Sequence, residues 1–542
     1  MTSIFRFGAL VLALLTAVAL ASCGDDADPA SGPAALMPAD APVYIEAVVS
    51  PEGAQAESLN ALTAKLGELP LIGTLTNPGD LIKGMIEDSA SSSGVSLDFS
   101  EDVDPWLGER LGISYLSVAD GSERFVAALE TTDEGETEDA LARILSEDAV
   151  PNEERTYEDV TYYTSGAEDY GVGVFSGHLV LATLDEFEAA VQVADSGESL
   201  ADSDQLTEAT AGLEDERLAT LVLDASQFGE LATSSPEELE KFEQVRAALP
   251  EFFDEPLSFA LGVDERTIYL DQASPEVEGQ PEVTESENFA EAPGDAFGAF
   301  GMGDIGGWIT FVTGLYDRVA ESGVALEEGY PEDGLAAAFE EETGVALDDL
   351  ADAIGDGTVW VRGDLPDSLE IGSRISVSDE ETVLELVDEI RDGAESEEGA
   401  SAVGPPLDSD AEGFSVDFTK SDPTFEFERF NLEVGDGSLR VSLFQDAGSA
   451  DSALPSETLG ETDVFSGAGE LLGADFELLG VADLAPIFDL ALAEASQDLA
   501  VPFGGPEALF ARFLTNKFEA LALGARSADG RVIQRFALGI AE

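Results

Sequence analysis

Cys23 is the single cysteine and His178 the single histidine of this 542-residue chain. Cys23 closes the box Leu20-Ala21-Ser22-Cys23, which ends the apolar run Phe7 to Leu20 behind Arg6. That run is short for a typical membrane span and suits the core of a signal peptide. Small residues directly before a cysteine are the cleavage pattern of bacterial lipoproteins, in which the thiol carries diacylglycerol and the cysteine becomes the new N-terminus. The expected chemistry at Cys23 is therefore lipidation. Residues 1–22 would be the signal peptide, and residues 23–35 an acylated, flexible tether reaching about 40 Å at most. An ordinary secretory signal with an incidental cysteine, or an uncleaved anchor, is the alternative. With one cysteine, no disulfide can form within the chain, so an exported fold must rest on packing alone.

Other chemistry is sparse. His178 as a triad base would need a positioned serine and acid, and no G-x-S-x-G elbow occurs. It lies in the strand-like run Gly171–Thr183, where a lone histidine reads as a surface or edge residue. One histidine and a lipidated cysteine cannot build a zinc site of the usual N/S ligands. None of the lysines follows a glycine, which removes the G-x-x-x-x-G-K-[ST] phosphate loop, and S-x-x-K is missing too. Carboxylates remain, and a pair of them would serve a glycosidase, but among 114 acids any spacing arises by chance. Asp408, Asp410 and Glu412 sit at alternate positions before Gly413, like the start of a calcium loop. The twelfth position is Thr419 rather than a bidentate glutamate, so a plain polar loop is the favoured reading. No cofactor, no metal and no catalytic residue is expected, and the chain does not read as an enzyme.

The charge narrows the partners. The 114 acidic residues face 23 basic ones, a net −91. Nucleic acid is excluded, because neutralising phosphates requires lysine and arginine. The acids are spread through the chain rather than gathered in a tail, so they form a solvated surface that repels itself at low salt. Cations or a basic envelope protein are the electrostatically compatible partners, with the oligomeric state left open.

The elements read as α+β. Strand-like runs are Val43–Val49, Leu111–Val118, Arg124–Thr131, Gly171–Thr183, Leu218–Leu223, Leu257–Val263 and Thr267–Asp271, with turns at Asp120-Gly121 and Asp264–Arg266. Helical periodicity marks Glu136–Leu145 and Leu184–Ala194. The alternating phenylalanines of Phe414–Phe430, Phe425 and Phe427 among them, suit a half-buried strand better than a ligand platform. Landmarks then recur in one order at separations of roughly 250 residues, as in a tandem repeat. Pro38 meets Pro293, Gly94–Asp98 meets Gly344–Asp348, and Asp133-Glu134 meets Asp379-Glu380. Gly177–Leu179 meets Gly437–Leu439, Val222–Asp224 meets Val481–Asp483, and Ala260–Gly262 meets Ala522–Gly524. The expected architecture is two tandem, duplicated units, residues 36–273 and 294–542, each a mainly antiparallel sheet with helices on one face. Two unrelated α+β domains are the alternative. The Pro/Glu/Ser-rich stretch 274–293 reads as an exposed linker.

Leu36-Met37-Pro38-Ala39-Asp40-Ala41-Pro42-Val43-Tyr44-Ile45-Glu46-Ala47 with Pro51-Glu52-Gly53, and Asp104-Pro105-Trp106-Leu107-Gly108-Glu109-Arg110, carry a family likeness. The chain resembles a family of exported, mostly actinobacterial proteins catalogued only as a domain of unknown function. The second half departs from it, with Ile354-Gly355-Asp356-Gly357 where Trp106–Glu109 would recur. The resemblance implies an envelope location and assigns no catalytic or binding residue. The expected function is a lipoprotein anchored on the outer face of the cell membrane, binding or scaffolding without catalysis. A carrier of a lipid or other apolar ligand, and a carboxylate-dependent hydrolase of envelope glycans, are the alternatives.

Overall fold

The pairing of the strands decides the shape. The computed structural model describes residues 32–51, 53–66, 99–117, 124–147, 152–165, 170–227, 236–323, 334–364, 368–396, 402–420, 427–446, 457–488 and 517–541. Cys23, Gly94–Asp98, the Asp120-Gly121 turn and Phe425 lie outside the described residues.

The first half holds β1 (Val43–Val48), β2 (Leu107–Ser117), β3 (Arg124–Thr131), β4 (Asn152–Tyr157) and β5 (Val160–Ser165). It continues with β6 (Tyr170–Phe175), β7 (His178–Thr183), β8 (Ala219–Leu223), β9 (Leu257–Val263) and β10 (Thr267–Pro275). The second half holds β11 (Ala296–Met302), β12 (Ile354–Asp364), β13 (Ser368–Val377), β14 (Val403–Gly404) and β15 (Glu412–Asp417). Then come β16 (Arg429–Gly435), β17 (Ser438–Phe444), β18 (Glu477–Asp483), β19 (Phe518–Ala528) and β20 (Arg531–Ile540).

All these strands join one antiparallel sheet. In the first half the spatial order is β4-β5-β6-β7-β3-β2-β1-β8-β9-β10. From the far edge, the second half runs β14-β15-β16-β17-β13-β12-β11-β18-β19-β20. The two orders are the same, and the halves meet where β10 pairs with β20, Asp271 opposite Arg535. The halves are therefore joined edge to edge in one sheet rather than strung apart as separate units. A backbone ladder is the strongest way to tie them, because it leaves neither central edge with unpaired N–H and C=O groups.

Local contacts repeat as well. The β6–β7 turn places Ser176 and Gly177 at positive φ, and the β16–β17 turn does the same with Asp436 and Gly437, the two-residue geometry of a tight hairpin. Glu134 Oε1 accepts the Gly177 N–H at 2.6 Å, and Glu380 Oε1 accepts the Gly437 N–H at 2.9 Å. Pro38 bridges Ser199, and Pro293 bridges Thr458.

Two expectations are corrected. The stretch 274–293 is not an exposed linker: Ser274 and Pro275 end β10, and Val277, Ser286, Phe289 and Ala292 are buried. Phe289 meets Phe465 edge-on at 5.6 Å, because its apolar side chain fills the second core. Helices also pack on both sheet faces. They include α1 (Gly53–Leu66), α2 (Glu134–Glu147), α3 (Leu184–Ser196), α5 (Ile305–Glu321), α6 (Glu380–Ser396) and α7 (Asp463–Leu472), while α4 (Pro236–Ala248) packs on α5. Phe187, Ala190 and Val191 of α3 lie on Val126, Ala128, Val180 and Ala182. Ala140 of α2 lies near Leu129 and Leu179, which alternate with those residues and so project from the other face. Runs such as Val126-Ala127-Ala128-Leu129 are apolar at every position, and such a run buries both of its sides. Among the described residues no helix is long and apolar enough to cross a membrane.

Candidate functional site

Strands β10 and β20 carry a buried charged cluster on one face and exposed apolar side chains on the other. On β10, Tyr269, Asp271 and Ala273 point to one face, and Ile268, Leu270 and Gln272 to the other. Arg535, paired with Asp271, shares the first face, and Phe536 the second.

Arg535 is the hub of the polar face. Its Nε and Nη2 donate to the two oxygens of Asp271 at 2.7 Å each, a bidentate pair between side chains that are 6% and 1% exposed. Nη2 also donates to Glu214 Oε1 at 2.6 Å, and Nη1 to the Leu472 carbonyl at 3.2 Å. The guanidinium stacks on Tyr269 at 4.0 Å and Phe476 at 4.4 Å. Tyr269 in turn donates to Glu214 Oε2 at 2.9 Å, its ring lying where a Cβ on Gly262 would come within 2.1 Å. Burial, seconded by the Glu214 charge, drives the Tyr269 phenol far above its ordinary value. Burial also pushes the Asp271 carboxyl up, more than the Arg535 charge pulls it down. Residues from both halves thus converge on one cation.

Beside the hub lies an open cleft of about 390 Å³, lined by Glu214 and Asp215 from one half and by Asp475, Phe476 and Arg526 from the other. One of its three acids is already engaged by the hub. Glu214 is spent on Arg535 and Tyr269, and Arg526 donates to the Gly212 carbonyl at 2.7 Å. The same holds elsewhere: the buried carboxylates Glu186, Asp271, Glu370 and Glu433 are paired with Arg124, Arg535, Arg362 and Arg440.

The opposite face inverts the usual arrangement, in which the open side of an antiparallel sheet is polar. Directly paired residues share a face, and the registers set Leu261, Leu270, Phe536, Leu523, Gly480, Phe300 and Val359 in one transverse row across β9, β10, β20, β19, β18, β11 and β12. Six strand spacings make this row about 29 Å long. Leu270, Phe300, Val359, Leu521 and Phe536 are each 37–45% exposed. Helices reach the margins: Leu62 and Leu66 of α1 pack near Ile268 and Ile540, and Ile305 of α5 sits over Gly357. A contiguous apolar floor of this kind is where soluble proteins dock an apolar partner.

The residues singled out by sequence fall elsewhere. Cys23 is outside the described residues. Asp408 accepts the Asp410 N–H and pairs with Arg440 at 3.2 Å, while Glu412 opens β15, so the three do not converge. The hydrogen bond from Asp410, then Arg440, holds the Asp408 carboxyl below its ordinary value. Among the described residues no group of three His, Cys, Asp or Glu is arranged for a metal ion.

His178 is corrected from surface to interior. It is buried at the start of β7, a strand paired on both sides, by β3 and β6. Nδ1–H donates to the Ser176 carbonyl at 2.7 Å, which leaves Nε2 as the unprotonated nitrogen, buried without a partner among the described residues. Burial lowers its pKa, opposed more weakly by the Ser176 carbonyl and Glu134. A folded value below 6.5 means that the folded state sheds this proton while the unfolded chain still holds it. His178 therefore withdraws stability as pH falls from 6.5 through the folded value. The single imidazole C2–H resonance should titrate below 6.5, and His178→Ser should flatten the acid limb of the melting curve. Titration at or above 6.5 would contradict the burial.

Three comparisons bear on kinship. No curated protein matches the chain. A solved structure titled "Structure of crystal form I of TP0453" is 9% identical and spans 46% of this chain and 80% of its own, with a TM-score of 0.23, too low to carry an argument. Residues 7–251, which include β1 to β8 and the Glu214 arm of the hub, match the model of a family described as a protein of unknown function (DUF3352), the kind of uncharacterised domain that the motifs at 36–53 and 104–110 resemble.

Proposed function

We propose that the protein is a lipid-anchored, extracytoplasmic binding protein of the bacterial envelope that holds an apolar ligand against the open sheet face and catalyses nothing. The observation that carries this reading is the uncharged row from Leu270 to Val359, in which Leu270, Phe536, Phe300 and Val359 are left 40–45% exposed where a sheet ordinarily turns polar residues outward. A scaffold without a ligand has no use for such a floor. The buried acids Asp271 and Glu370 are held by Arg535 and Arg362, and so do not offer the free pair a glycan hydrolase needs. The Leu20–Cys23 box supplies the anchor; Pro33 and Ala34, read from the sequence as tether, are instead buried in a 3-10 turn of the first core, so residues 24–31 are left as the tether, about 28 Å at most, which keeps the floor near the bilayer, its source of apolar molecules. The repeated strand order and paired local contacts favour descent from one duplicated unit whose copies joined at β10 and β20.

Native mass spectrometry of the full-length chain, extracted from membranes, should find a co-purified lipid released on unfolding. Bare protein alone would sink the carrier reading. Cys23→Ser should abolish palmitate labelling and release the chain from the membrane fraction.

The net −91 charge also predicts a salt-stabilised fold. Raising salt to 1 M shortens the screening length to about 3 Å and relieves the self-repulsion. The melting midpoint should climb from low to molar salt, and an unchanged midpoint would refute the prediction.

A further inference from the structure

Within the apolar face, Gln272 on β10 stands directly opposite Gln534 on β20. Phe259 and Ala525 flank them across the sheet, and Leu270 and Phe536 follow along the strands. Both are partly buried, and neither side chain has a hydrogen-bond partner among the described residues. From this we infer that the two carboxamides hold the uncharged, hydrogen-bonding head of a lipid whose tail lies on the row toward Val359. This rests on the apolar-ligand reading and adds the ligand's class.

Mid-strand, half-buried positions favour β-branched or aromatic residues. An amide that bonds nothing there forfeits packing and leaves polar atoms poorly solvated. Two such residues face each other with Cβ atoms about 5 Å apart, at the ladder that joins β10 to β20. Together they present two carbonyl acceptors and four N–H donors with no net charge. That set matches a hydroxyl, ester or amide. A carboxylate or phosphate head would gain no cation from the pair and would enter the field of a −91 body. From β20 to β12 is about 19 Å, four strand spacings. That exceeds half of the roughly 30 Å bilayer core, so one ordinary acyl tail fits.

The test is photo-crosslinking of the full-length chain with diazirine-tagged stearoyl glycerol, stearic acid and octadecane. Stearoyl glycerol should label peptides of β10 and β20 about tenfold more than stearic acid, the worth of two net hydrogen bonds. Gln272→Leu with Gln534→Leu should erase that preference while octadecane labelling persists and the melting midpoint holds. A preference unchanged in the double variant, or stearic acid labelling equally, overturns the inference and leaves the carrier reading standing. If no probe labels these strands, the carrier reading falls with it.

Discussion

Arg535→Met is expected to destabilise the protein by about 3–5 kcal/mol, the usual cost of stripping one partner from a buried ion pair. Asp271 is 1% exposed on its side chain and loses both bidentate bonds, while Tyr269 and Phe476 lose the guanidinium they stack on. The carboxyl already sits above its ordinary value because burial outweighs the neighbouring cation, and removing the cation raises it further. A raised folded value means that the folded state keeps a proton which the unfolded chain has lost. The variant's stability should thus fall as pH rises above about 4, and its deficit should be smaller near pH 4 than at pH 7. The companion Arg535→Met with Asp271→Leu removes both charges and should recover most of the loss. Urea titrations of the three proteins at both pH values decide it: a single variant within about 1 kcal/mol of the parent would show that the hub does not bind the halves together.

This hub was not legible in the sequence, for a definite reason. Arg535 lies 264 residues from Asp271 and 321 from Glu214. No local pattern encodes which strand of one half pairs with which of the other. What was legible is local. The strand at Arg124–Thr131 follows from a short continuous apolar run and that at Leu257–Val263 from its apolar residues at alternate positions, and the bounds of both agree with the structure. The run Gly171–Thr183 hides a hairpin, because Ser176 adopts positive φ beside Gly177 and breaks what reads as one strand. His178 was misplaced for the same reason: read in mid-strand it faces solvent, whereas just past the turn it enters the core. The apolar floor shows a subtler limit. Ile268 and Leu270 alternate with Tyr269 and Asp271 in plain sight, so two faces are evident. The habit of turning polar residues outward assigns them the wrong way round. Ala468, Leu471 and Leu472 of α7 cover the tyrosine side instead, a choice made by tertiary packing and invisible to a period of two.

Phe536→Glu tests that inverted assignment one residue away from the hub. Phe536 is 40% exposed and next to Arg535, yet points from the opposite face. If the face is an open ligand floor, the substitution costs the fold only about 1 kcal/mol, since the carboxylate reaches water where the ring already does. The ligand fares differently. A charge set in the middle of the row between Leu270 and Leu523 has to be desolvated whenever a tail lies down. Retention of co-purified lipid should therefore fall at least about tenfold, with the melting midpoint nearly kept. Arg535→Met should do the reverse, losing stability more than lipid per folded molecule. Two neighbouring residues with opposite signatures would separate the tie that joins the halves from the surface that works. Equal collapse of stability in both variants would mean that Phe536 is ordinary core and that nothing docks on this face.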